Sequence, residues 1–345
     1  MKDLTNYMQA CVLTGPRRIA LQTRPIPELP DDGILLRVDR CGICSSDIAV
    51  FEDGPDLADG LPVLGHEYVG RVVACGNAAD PTLIGKRIVG WGNGIFGGIA
   101  QYRAIRPVLS TSPKRLIYPS AAAAVVPDDL PDACAVLVEP ASCILRTLLG
   151  APPEPGDDCL ILGCGPFGVI AACLLRFVFG ARSISVLDRH PEKLEKLSGF
   201  CDLEASYSDL SEEISGITYV FDTLGDVTSS VGDDGNPRGW AMRGCKPSAQ
   251  YIAFGTPQND QPMDVYSLIS KGIRMTSPTW DNAHFPKWST AAVMESTIKL
   301  IQSGLLPADH IIGTCVRFDD VEALQTAFSN YRRAESFTKD QVVFN

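Results

Sequence analysis

The chain has 345 residues, 45% hydrophobic and 21% charged, which suits two domains of ordinary size and excludes a disordered chain. Thirty Lys and Arg stand against 41 Asp and Glu, giving −11 at pH 7 with no basic run, so a phosphate backbone would be repelled and nucleic acid is not an expected partner. The longest apolar runs, near Val169–Leu175 and Ala133–Val138, stop at Arg176 and Glu139, short of the ~20 residues a membrane span needs. The start, MKDLTNYMQA, lacks a basic segment before an apolar core, so no signal peptide is expected. The twelve cysteines then read as reduced thiols of a cytoplasmic protein.

In chain order, Ile34–Cys41, Val69–Cys75, Arg87–Gly90 and Ala100–Ile105 have the short apolar runs and turn residues of a β-barrel-like unit. A helix is expected from an N-cap at Ser45 or Ser46 to about Phe51. The breaker cluster Gly150–Gly156 marks a domain boundary. Beyond it, Cys159–Leu162 reads as a strand, followed by a glycine-rich turn, a helix to Phe179 and a strand at Ser183–Leu187. Further strands are expected at Tyr219–Asp222, Gln250–Phe254 and Ile273–Thr276. Alternating β and α elements predict a parallel, doubly wound sheet. The tail carries helices near Thr290–Ser303 and Val321–Tyr331 and a final strand-like QVVF.

Gly163-Cys-Gly165-Pro166-Phe167-Gly168 is a G-x-G-x-x-G pattern set between a strand and a helix. Gly163 makes the tight turn, Gly165 admits a pyrophosphate to the backbone, and Gly168 permits close helix–strand packing. The helix N-terminus offers free N–H groups to phosphate. Asp188 ends the next strand, 20 residues after Gly168, where a carboxylate accepts hydrogen bonds from both ribose hydroxyls of NAD and repels the 2′-phosphate of NADP. Pro166, Phe167, Arg189 and Lys193 complete the candidate cofactor contacts.

Cys41-Gly-Ile-Cys44 is a C-x-x-C that fits a zinc ribbon, a redox pair or neither, and no second pair has that spacing. Gly65-His66-Glu67 follows, with one residue that binds zinc and another that can. The order CGICSSD, GHEYVGRVVACG, Val138-Glu139-Pro140, then GCGPFG with Asp188 resembles the zinc-dependent medium-chain dehydrogenases/reductases over essentially the whole chain. AVFEDG before VLGHE, together with the VEP motif, looks most like the sorbitol and glucose dehydrogenase branch.

The resemblance implies an α/β fold with a GroES-like β-barrel catalytic domain (1–150, completed by 286–345) and a Rossmann domain (151–285). It implies one catalytic zinc held by Cys44, His66 and Glu139, with Glu67 beside the metal, Ser46 taking the substrate proton and Asp47 behind the ligands. One thiolate, one imidazole and one carboxylate leave a fourth position open, as a catalytic zinc needs. The implied reaction moves a hydride between NAD and a secondary alcohol of a polyol, sugar or aminocyclitol, in a homodimer or homotetramer. Two departures stand out. Arg87–Arg106 has none of the cysteines of the family's structural-zinc lobe, and Ala49 occupies the position of a frequent proton-relay histidine. Two other functions stay open: a zinc-free reductase of an activated C=C or C=N bond, and a non-catalytic NAD-binding protein. Trp91, Phe96, Trp280, Phe285 and His284 are candidate pocket residues.

Overall fold

The computed structural model describes residues 6–54, 62–91, 97–109, 121–194, 197, 199, 201–206, 214–227, 236–277, 290–331 and 338–344. Its six-stranded sheet runs in the order Leu203–Ser206, Ser183–Asp188, Asp158–Leu162, Ile217–Asp222, Cys245–Ala253, Arg274–Thr276, with every neighbouring pair parallel. Numbered along the chain this is 3-2-1-4-5-6, the dinucleotide-binding order, whose ligand crevice lies at the carboxyl ends of strands 1 and 4. The central strands are buried on both faces, which is why Cys159–Leu162 reads as a continuous apolar run rather than an alternating one. Arg274–Thr276 is the edge, and Cys245–Ala253 lies one strand inside it.

A second, mostly antiparallel sheet draws its first strands from between Ile34 and Val126: Ile34–Gly42 pairs with Glu67–Cys75, which pairs with Arg87–Trp91, which pairs with Ala121–Val126. The C-terminal strand Lys339–Val343 pairs with the far side of Ile34–Gly42, and Ile312–Arg317 adds beyond it. The last strand of the chain thus lies two positions from the strand that begins at Glu67. An N-terminal hairpin, Tyr7–Gly15 with Arg18–Pro25, was not among the expected strands.

The sequence reading also passed over a helix. Asp132–Ala135 and Val138–Gly150 follow each other with a break at Val136 and Leu137; taken together, the 19 residues Asp132–Gly150 are long and apolar enough to cross a membrane by length and composition, yet 83% of their apolar window is buried in the fold. Val138–Gly150 packs against the helices Pro166–Phe177 and Thr290–Gln302, in the core shared by both sheets. Pro140 hid it. Three residues into Val138–Gly150, proline lacks only an N–H that has no partner within the helix there.

The parallel sheet is pinned by a buried ion pair. Arg238 Nε donates to Asp222 Oδ2 at 2.7 Å, with both side chains no more than 4% exposed. The rest of the guanidinium donates to the Leu224 and Gly225 carbonyls and to Gln261 Oε1, tying down the loop after strand 4. Arg238→Met would leave Asp222 charged and buried, a loss of roughly 3–5 kcal/mol. The urea midpoint should fall markedly, whereas Arg317→Met, in an exposed pair with Asp319, should leave it unchanged.

Candidate metal centre and cofactor crevice

Helix Ser45–Asp53 begins where the metal motif ends, and its N-cap is Cys44 rather than either serine. Cys44 N–H donates to Asp47 Oδ2 at 3.1 Å, and Gly65 N–H donates to Asp47 Oδ1 at 2.9 Å. The same Oδ1 lies 3.4 Å from His66 Nδ1, within ion-pair range though not hydrogen-bonded, so one fully buried carboxylate fixes the Cys44 backbone and faces the imidazole ring. That leaves Nε2 for a metal, the usual arrangement of a carboxylate behind a ligating histidine. Gly65 has φ +90°, and a Cβ there would meet Cys41 Sγ at 2.7 Å. Cys41 therefore packs behind the turn.

The donor atoms of Cys44, His66 and Glu67 all lie within 4.8 Å of one another. Glu139 stands outside that triad, buried at the second position of helix Val138–Gly150, with His66, Glu67 and Lys339 as its charged neighbours. Ser46 Oγ lies 3.4 Å from His66 Nε2, at the rim of the cluster. Among the described residues, Trp91 is a packing residue: it is 8% exposed, its indole donates to Cys143, and the Arg146 guanidinium covers its ring. Phe96, Trp280, His284 and Phe285 lie outside the described residues.

Sequence reasoning missed Lys339. Its Nζ donates to Glu67 Oε1 at 2.7 Å, and both side chains are 0% exposed. Lys339 reaches Glu67 past the end of the intervening strand, where Gly42 has no side chain to block it: a Cβ there would collide with Glu67 Oε2. Nothing local marks this lysine, since its partner is 272 residues away.

These residues fit a metal ion. Glu67 Oε2 is buried with no hydrogen-bond partner, and burial pushes the Glu139 carboxyl up to about 7. Burial alone would lower His66, but Asp47 and the Cys44 sulfur outweigh it and hold the imidazole well above its ordinary pKa. A pocket that stabilises positive charge on its histidine is one that a cation would occupy. Sulfur, nitrogen and oxygen donors together suit Zn2+.

The glycine-rich turn has an equally specific shape. Gly163 has φ +96°, a Cβ on Gly168 would collide with the Gly163 carbonyl, and a Cβ on Gly165 would meet nothing within 4 Å. The open side at Gly165 lies at the N-cap of helix Pro166–Phe177, where a phosphate would find free N–H groups. Asp188 is 7% exposed; its Oδ2 accepts from Cys164 N–H at 2.7 Å and its Oδ1 from His190 N–H at 3.0 Å. Arg189 Nε donates to His190 Nε2 at 3.0 Å, and the Lys193 carbonyl accepts from the Cys164 thiol. Phe167 packs edge-on to Phe254 at 5.3 Å, and Lys339 Nζ stands 5.2 Å over its ring. Lys339 thus touches the metal cluster and the cofactor turn at once.

Residues 30–110 match the alcohol dehydrogenase GroES-like domain. The L-threonine 3-dehydrogenase of Edwardsiella ictaluri is 27% identical over 81% of this chain and 84% of its own length. The erythritol/L-threitol dehydrogenase of Mycolicibacterium smegmatis is 27% identical over 88% and 89%. Among solved structures, 2R,3R-butanediol dehydrogenase from Bacillus subtilis superposes with a TM-score of 0.76 at 18% identity, over 98% of this chain and 100% of that one.

The clearance at Gly42 makes a direct prediction. Gly42→Ala should push the Glu67 carboxylate off Lys339, so that the purified variant retains less zinc per chain and unfolds at lower urea than the parent protein. Elemental analysis and a denaturation curve read the two effects, and unchanged values for both would contradict the assignment.

Proposed function

This chain belongs to the zinc-dependent medium-chain dehydrogenases/reductases, and we propose that it oxidises a secondary alcohol of a polyol, sugar or aminocyclitol with NAD. The observation that carries this reading is the convergence of Cys44, His66 and Glu67, with Glu139 beside them, next to a glycine-rich turn that Lys339 joins to the cluster. Cys44, His66 and Glu139 hold the metal, one per chain. Zinc, when bound, supplies a Lewis acid that lowers the pKa of the substrate hydroxyl, and NAD accepts the hydride. Gly163, Gly165, Gly168 and the start of helix Pro166–Phe177 hold the pyrophosphate, and residues 151–285 form the unit that takes the cofactor.

Ser46 stands beside the ligating nitrogen of His66, placed to take the hydroxyl proton at Oγ. Asp47 keeps the imidazole turned to the metal. With Zn2+, the cysteinate, two glutamates and Lys339 bring the centre to formal neutrality, so Lys339 offsets the charge of Glu67 and preserves the Lewis acidity. A homodimer or homotetramer is part of the proposal, and the edge strand Arg274–Thr276, with Tyr266 82% and Ile269 74% exposed on the preceding helix, supports it.

The buried carboxylates favour a substrate with a polar group next to the reacting hydroxyl. Threonine and erythritol, the substrates named for two relatives, both have one. A simple primary alcohol would leave those acceptors unpaired at ~1–3 kcal/mol. In a substrate panel with NAD, polyols, aldoses, amino alcohols or aminocyclitols should therefore exceed ethanol and butanol by at least about tenfold in kcat/KM, the equivalent of ~1.4 kcal/mol. Equal turnover of the simple alcohols would refute the substrate class.

NAD should be preferred to NADP because the Asp188 carboxylate repels a 2′-phosphate. Asp188→Gly should move the kcat/KM ratio towards NADP. A wild-type enzyme that already uses NADP equally well would assign that end of the crevice to Arg189 instead.

A further inference from the structure

Cys143 lies one turn beyond Glu139 on helix Val138–Gly150 and is 7% exposed. Its sulfur is contacted from two sides. Trp91 Nε1 donates to Sγ at 3.0 Å, and Sγ lies 3.5 Å from Glu139 Oε1. An indole N–H can only donate, so it occupies a sulfur lone pair and leaves the S–H to point at Glu139. The order of the chain is therefore fixed as Trp91 to Cys143 to Glu139.

The far end of this chain is also held. Trp91 closes the strand Arg87–Trp91, and the Arg146 guanidinium stands 5.1 Å over its ring, a cation–π contact from the same helix. A buried carboxylate with two equivalent oxygens and a flexible stem would otherwise have several rotamers open to it. We propose that Cys143 is a positioning residue for Glu139: its thiol, aimed by Trp91, ties down one carboxylate oxygen and leaves the other for the metal. This inference rests on Glu139 being a metal ligand. It assigns Cys143 a role of the kind that outer partners of metal ligands play, where loss of one hydrogen bond weakens metal binding about 10–100-fold.

Zinc affinity of the full-length protein, measured by competition with a chelating dye, tests it without recourse to activity. Cys143→Val removes the donor and keeps an apolar side chain about one methyl larger, and should weaken zinc binding by about 10–100-fold. Cys143→Ser keeps a donor and should stay close to wild type. Trp91→Phe removes the aiming N–H and should weaken binding by a smaller factor. If Cys143→Val fails to fold, Cys143→Ala makes the same comparison. Cobalt substitution adds a spectroscopic check, because the d–d bands report ligand orientation and should shift in Cys143→Val but not in Cys143→Ser.

Glu139→Gln separates the two levels of the reading. If it binds zinc as tightly as wild type, Glu139 is not a ligand and the metal assignment itself fails. If Glu139→Gln loses zinc while Cys143→Val matches wild type, only the positioning role is overturned. Equal weakening in Cys143→Val and Cys143→Ser would mean that Cys143 acts through packing, and would overturn it too.

Discussion

Lys339 and Glu67 form an ion pair at 2.7 Å with no solvent on either side chain, and much of the site's geometry depends on it. Two charges so deeply buried are stable only together, and removing one strands the other at a cost of roughly 3–5 kcal/mol. The pair ties the C-terminal strand to the strand that begins at Glu67, across Ile34–Gly42 between them. It also constrains Gly42, since a Cβ there would collide with the Oε2 of the paired Glu67 carboxylate. A segment near the end of the chain is thereby made part of a centre whose other donors come from residues 44–67 and from Glu139.

The same lysine relates the two halves of the site. Its ammonium rests over Phe167, the residue just before the third glycine of the cofactor turn, and Phe167 in turn packs on Phe254 at the end of strand 5. A change at the Cys44–His66–Glu67 cluster would thus be felt at the glycine-rich turn, through contacts of about 5 Å rather than through a long backbone path. The charge balance points the same way. A Cys44 thiolate with the Glu67 and Glu139 carboxylates would carry one negative charge more than a divalent cation among them, and Lys339 offsets it.

Each donor also has a partner that sets its orientation. Asp47 holds the Cys44 turn and faces the His66 ring, Lys339 holds Glu67, and the Trp91–Cys143 chain reaches Glu139. Away from the metal, Arg238 does the same for the loop after strand 4 by satisfying Asp222 and two carbonyls. These partners come from elements distant in the chain, so the rigidity of the centre is a property of the assembled sheets and helices.

What was legible in the sequence was local. The glycine-rich turn declares itself because strand, turn and helix follow within a dozen residues and each glycine answers a backbone constraint: a positive φ at Gly163, open space at Gly165, contact at Gly168. CGICSSD and GHE were legible for the same reason, as was the alternation that gave the parallel sheet. Helix Val138–Gly150 was not, because its proline is harmless only if it falls in the first turn, and where the turn starts is settled by packing against two other helices. Lys339 and Cys143 carry no signal at all, for a lone lysine or cysteine becomes meaningful only when folding brings it within hydrogen-bond distance of a buried carboxylate. The sequence by itself determined the CGICSSD and GHE segments, the strand–glycine-rich turn–helix unit and the α/β plan, all of which depend on short-range geometry. Tertiary structure alone decided which charges neutralise the centre and which groups orient its donors, because those depend on the cost of burying an unpaired charge and on contacts between residues far apart in the chain.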